Sequence, residues 1–111
     1  MSEAAIDHAI FAELQETAGA EFVIELVGTF LEEAPQMLGE LRDAQATASA
    51  ERYRRAAHSL KSNSNTFGAL KLGEMARKLE LGGLVTDVAP LAALEAEYAR
   101  VAAALKGLCN G

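Results

Sequence analysis

The sequence predicts an all-α protein, an up-down antiparallel four-helix bundle with a short additional N-terminal helix. Three observations carry this reading. Half of the 111 residues are apolar and only two are prolines, and the abundant alanine and leucine lose least on entering a helix. Apolar side chains recur at alternating steps of three and four along several stretches, the spacing of one helical face. No segment alternates with the two-residue period of a strand over a useful length.

Taken in order, residues from about Ile6 to Thr17 form a short first helix with Ile6, Ala9, Ile10, Ala12 and Leu14 apolar, and Gly19 ends it. The second helix starts near Ala20. Val23, Val27, Phe30, Ala34, Met37, Leu41 and Ala44 follow one another at alternating steps of four and three, the seam of a bundle. Pro35 falls inside this stripe and is expected to kink the helix or cost a hydrogen bond rather than end it, because the stripe continues in phase. The third helix runs from about Ala50 to Asn65, with Tyr53, Ala57, Leu60, Ser64 and Phe67 in phase. Gly68 then supplies the permissive backbone of a helix end or tight turn. Ala69, Leu72, Ala76, Leu79 and Gly83 define the inward face of the fourth helix, and Gly82 and Gly83 stop it. The last helix opens with Pro90 after Asp87, with Leu91, Leu94, Tyr98, Val101, Leu105 and Leu108 as its stripe. The connections are short, so successive helices are expected to lie antiparallel within a single domain spanning 1–111.

Composition narrows the function. High hydrophobicity with a net charge of −6 does not fit disorder, and the acidity argues against bulk nucleic-acid binding. There is no apolar run long enough for a membrane span, and the first residues carry acids where a secretory signal needs a basic segment. Cys109 has no second cysteine to pair with, so a reduced, cytoplasmic setting is expected. The charges are uneven: residues 51–80 hold seven of the ten basic residues, Arg52, Arg54, Arg55, Lys61, Lys71, Arg77 and Lys78. The same stretch holds only three of the sixteen acids, Glu51, Glu74 and Glu80. On charge alone this is either a solvated basic face or a docking surface for something anionic.

The chemistry-bearing segment is 56–69, AAHSLKSNSNTFGA. His58 lies beside the inward stripe set by Ala57 and Leu60, so partial exposure is expected. Arg54 and Arg55 precede it by four and three residues; Lys61, Ser62 and Asn65 follow by three, four and seven. Residues at these offsets share a helical face. An unperturbed imidazole titrates near pH ~6.5, so much of it is neutral and nucleophilic at neutral pH. Nearby cations stabilise the peripheral oxygens of a phosphoryl group in flight. By spacing alone, an ordinary surface histidine on a basic helix is the favoured reading.

These residues resemble the signature of the histidine phosphotransfer (HPt) family. His58 is followed by Leu60 and Lys61, then by the small residues Ser62 and Ser64, with Gly68 at the tenth position and Ala69 after it. The resemblance extends over the whole chain, because HPt domains are short, all-helical proteins with the phosphohistidine midway along a bundle helix. Ser62 departs from the family's usual glycine; it remains small, and its hydroxyl is available to the phosphoryl oxygens. The family often places Glu or Gln 22 residues after the histidine, where it hydrogen-bonds Nδ1; Glu80 holds that position. His58 and Glu80 also lie roughly symmetrically about Gly68, so at ~1.5 Å per residue their heights on adjacent helices agree within about one turn. A solvent-exposed helix acid is the plain alternative for Glu80.

The resemblance implies that His58 is phosphorylated, with Lys61 and Glu80 assisting and Arg54, Arg55, Ser62, Asn65 and Gly68 meeting the partner or the phosphoryl group. It implies response-regulator receiver domains as partners, one of them fused to a hybrid histidine kinase. It implies no cofactor of the protein's own, Mg²⁺ being supplied by the receiver, and a monomer. An apolar patch for the partner is expected from Ile10, Phe22 and Leu26 beside His58. The rival readings are an enzyme and a binding-only adaptor. There is no phosphate-binding glycine loop followed by Lys-Ser/Thr, and only two histidines exist, with Arg55 three before His58, so no pair of Glu-x-x-His motifs can hold a metal. His8 has no partner spacing and reads as a surface residue. A helical adaptor using the basic face around His58 remains the alternative, separated from phosphotransfer by whether the chain takes an acid-labile phosphoryl group.

Overall fold

Five helices make up the fold, and a computed structural model describes residues 4–110 of it: α1 (His8–Ala18), α2 (Ala20–Ala46), α3 (Ala50–Thr66), α4 (Leu70–Gly82) and α5 (Ala89–Asn110). Among the described residues there is no strand. Helix α3 packs on α2 and α4, and α5 touches both α4 and α2, so the contacts close a ring; α1 lies against α2.

The stripes read from the sequence form the core. Val23, Val27, Phe30, Ala34, Leu41 and Ala44 of α2 are buried with Tyr53, Ala57 and Leu60 of α3, Leu72, Ala76 and Leu79 of α4, and Leu91, Leu94, Val101 and Leu105 of α5. Each fully buried large apolar side chain contributes roughly 1.5–3 kcal/mol, so this seam dominates the stability of so short a chain. Phe30 sits at its centre, its ring 5.3 Å from that of Phe67 and 6.0 Å from that of Tyr98. Pro35 is carried inside α2 without ending it. Asp87 accepts a hydrogen bond from the Ala89 N–H and opens α5, with Pro90 in the first turn.

Several expectations shift. The inward residue after Ala34 is Leu38, while Met37 is only half-buried. A straight helix of 3.6 residues per turn drifts away from a 3.5-residue stripe, and over the 27 residues of α2 the inward position moves by one. The first helix begins at His8 rather than Ile6, because the Asp7 carboxylate caps it by accepting from the Ala9 and Ile10 N–H groups at 3.0 and 3.2 Å. Its one buried side chain is Phe11, absent from the expected stripe, and Ile6 is buried ahead of the helix. Gly83 and Leu108, expected inward, are only half-buried.

Two anchors outside the apolar seam hold α4. Asn65 of α3 rests its side chain against Gly73, where a Cβ would collide with the amide oxygen, so the two helices approach closely at that level. On the other side Glu97 of α5 is buried with one oxygen 2.7 Å from Arg100 and 4.0 Å from Lys71 of α4.

Candidate functional site

Helices α3 and α4 present the site, and the turn between them sets its register. Gly68 has φ +83°, a backbone region that L side chains enter at a cost, and its carbonyl accepts from the Asp7 N–H at 2.8 Å. His58 lies ten residues before this glycine and Glu80 twelve after it. The two helices run away from the turn side by side, which brings the two side chains to one level.

There the His58 Nδ1 and the Glu80 Oε2 are 2.7 Å apart. The His58 side chain is 54% exposed, whereas that of Glu80 is only 12% exposed. The second Glu80 oxygen, Oε1, is 2.8 Å from the Lys61 ammonium. Lys61 first, and the His58 ring second, hold the Glu80 carboxyl below the usual carboxylate range. An ionised carboxylate only accepts hydrogen bonds, so Nδ1 carries the proton and donates it. In the neutral ring the lone pair then resides on Nε2, on the half-exposed imidazole. The sequence placed Lys61 as a counter-charge near His58; the structure places its ammonium on Glu80.

The remaining candidates divide. Arg54 forms a two-pronged pair with Glu51, at 2.6 and 3.3 Å, and lies within electrostatic reach of Glu80. Arg55 is 3.7 Å from Glu51 and lines a groove between α2 and α3. Ser62 is exposed one turn beyond His58. Asn65 lies ~10 Å along the axis from His58 at ~1.5 Å per residue and is turned onto α4 at Gly73. Gly68 sits in the turn itself. It is buried beyond the end of α3, with Asp7 and Ile10 against it.

The residues of the expected apolar patch lie on α1 and α2. Ile10 packs at Gly68, and Phe22 and Leu26 lie near the start of α2. Glu33, Gln36, Met37 and Glu40 are the α2 residues that line a groove against 52–59 of α3. The basic residues of 51–80 do not form one positive face. Arg52 bonds Glu40 at 2.7 Å and Asp43 at 2.8 Å, and Arg77 pairs with Glu74 at 3.3 Å. Their counter-charges come from α2 and from the preceding turn of the same helix. The burial of Glu97 and the role of Gly73 escaped the sequence reading. A glutamate between Leu94 and Val101 on the inward face of α5 is the one signal that could have flagged the first.

A half-exposed imidazole, fixed in one tautomer by a carboxylate from the neighbouring helix, defines a helical domain suited to carrying an electrophile on nitrogen. The chain belongs to the Hpt domain family, whose model matches residues 25–104, and is thereby a histidine phosphotransfer domain of the phosphorelay type. Its fold is similar to the crystal structure of histidine-containing phosphotransfer protein B (HptB) from Pseudomonas aeruginosa PAO1, with a TM-score of 0.84 and 28% identity over 98% of this chain and 97% of that one. Comparison with curated proteins gives no significant match. Among the described residues no helix is long and apolar enough to cross a membrane.

Proposed function

We propose that the protein shuttles a phosphoryl group through His58 between receiver-domain aspartates of a two-component phosphorelay. Helices α2–α5 act as an up-down antiparallel four-helix bundle that holds the imidazole at its surface, a reading supported by the ring of helix contacts and the short connections. One observation carries the chemistry: Glu80 accepts from Nδ1–H at 2.7 Å while the ring stays half exposed. The Nε2 lone pair attacks the phosphorus of an aspartyl phosphate, the bond from phosphorus to the carboxylate oxygen breaks, and the aspartate leaves as its carboxylate. The Nδ1 proton stays in place, and Glu80 offsets the positive charge that develops on the ring, as the orienting carboxylate of a catalytic triad does. Return to a second receiver is the reverse sequence.

Lys61 acts on this step through Glu80, keeping the carboxylate ionised and in position. Arg54, on the same face of α3, adds positive potential near the phosphoryl oxygens. The receiver supplies its own Mg²⁺, and the protein works as a monomer in the cytoplasm, with no ATP-dependent step of its own. The test is incubation with a phosphorylated receiver domain. Wild-type chain acquires an acid-labile label, His58→Gln acquires none, and His8→Ala labels normally. A label retained by folded His58→Gln would end this reading.

A further inference from the structure

A groove of about 470 Å³ separates α2 from α3 beside the site. Arg55, one turn before His58, and Ser59, immediately after it, line the α3 wall. Two of its lining residues thus bracket His58 along α3. Its floor includes the half-buried Met37 and the nearly buried Ala56, enough apolar surface to seat a side chain of a docked partner.

The charges along the groove are unequally satisfied. Glu40 accepts from Arg52 at 2.7 Å, and Arg52 also holds Asp43. Glu33, exposed on the α2 wall, takes part in no ion pair among the described residues. Arg55 on the opposite wall has only the 3.7 Å contact with Glu51. A partner seated over His58 removes water from both residues, and a carboxylate desolvated without a cation is costly.

We propose that Glu33 is a specificity-determining residue, selecting receiver domains that bring a lysine or arginine into the α2–α3 groove while His58 faces their aspartate. This rests on the phosphotransfer reading above. The occupant is a receiver surface with an apolar residue for Met37 and Ala56, a cation for Glu33 and an acceptor for Arg55. Receivers with an acidic or apolar residue opposite Glu33 are disfavoured by an unpaired charge, which makes Glu33 a discriminating group more than a source of affinity.

The test measures transfer from phosphorylated receiver domains of the source organism to wild-type, Glu33→Gln and Glu33→Lys chains, separating KM from kcat. Phosphoramidate labelling of His58 in the wild-type chain examines the underlying reading independently, because that small donor needs no docking surface. For the preferred receiver, Glu33→Lys is expected to raise KM about fivefold or more, with kcat preserved and Glu33→Gln intermediate, the scale of an exposed charge pair turned into a repulsion. The same change is expected to narrow the gap between preferred and poor receivers. An unchanged KM, or a fall in kcat at constant KM, overturns the assignment of Glu33. Absence of phosphoramidate labelling in the wild-type chain instead overturns the phosphotransfer reading itself.

Discussion

His58 Nδ1 and Glu80 Oε2 stand 2.7 Å apart across 22 positions of sequence, and the second oxygen of the same carboxylate is 2.8 Å from Lys61 Nζ. One glutamate, 12% exposed, thus orients the imidazole and is itself anchored by a cation on the same helix as that imidazole. The site is a three-member arrangement in which the middle member comes from α4.

Removing the middle member loosens the ring. In Glu80→Ala the imidazole is expected to populate both tautomers and to transfer roughly tenfold or more slowly, the scale seen when a partner that orients a histidine is lost. Glu80→Gln keeps an amide oxygen as acceptor and should fall between the two. Nitrogen-15 NMR of the ring checks the tautomer, and rapid-quench kinetics checks the rate; a single unchanged tautomer in Glu80→Ala removes Glu80 from the site.

Lys61→Ala should act at one remove. Without the ammonium, the Glu80 carboxyl titrates higher, back toward its ordinary range, and transfer slows while the fold is little changed, as for a partly exposed ion pair. Carbon-13 NMR of the Glu80 carboxyl during an acid titration reads the first effect. A carboxyl that titrates unchanged in Lys61→Ala shows that the cation does not act through it.

Acid should weaken the fold in a defined window. The Glu80 carboxyl lies below its ordinary 4.5 in the folded chain, with Lys61 the larger cause and His58 the next. A depressed folded value means that the unfolded chain binds the proton first, so the stabilisation is fully present above about pH 5 and is lost as pH falls through the folded value. Glu40 and Glu51, lowered chiefly by hydrogen bonds from Arg52 and Arg54, follow the same sign. Melting temperatures measured from pH 7 to pH 3 should fall below pH 5, and less steeply in Glu80→Gln, which lacks the titrating group. An equal slope in the variant assigns the acid sensitivity to other carboxylates.

Two backbone positions give opposite signs. Gly68→Ala puts a Cβ 2.9 Å from the Asp7 carbonyl oxygen at φ +83° and is expected to cost about 1–3 kcal/mol. Ala48, in the turn between α2 and α3, is the one non-glycine residue with positive φ among the described residues, at 58°, and Ala48→Gly should stabilise by about 0.5–1 kcal/mol. Urea denaturation measures both.

Local rules made much of this readable before folding. Helical spacing located the buried stripes because core residues on one face must repeat near 3.6, and Asp87, Pro90 and Gly68 marked boundaries through backbone chemistry that neighbours do not override. The level of Glu80 beside His58 followed from counting residues to Gly68. What escaped depended on the arrangement of helices around one another. Arg52 looks like part of a basic run until α2 brings Glu40 and Asp43 beside it. Glu97 looks solvated until α4 and α5 close over it with Lys71 at their seam.

Helix α1 lies outside the segment 25–104 matched by the family, and that segment begins within α2. Yet the Asp7 N–H is bonded to the Gly68 carbonyl, Ile10 fills the space against that glycine, and Phe11 is buried in the core. The packing that supports the turn therefore reaches beyond the stretch matched by the family. A chain started at residue 25 retains His58, Lys61 and Glu80 but loses the buttress beneath the turn that keeps them level, and its deficit would appear first as a misplaced carboxylate twelve residues beyond that turn.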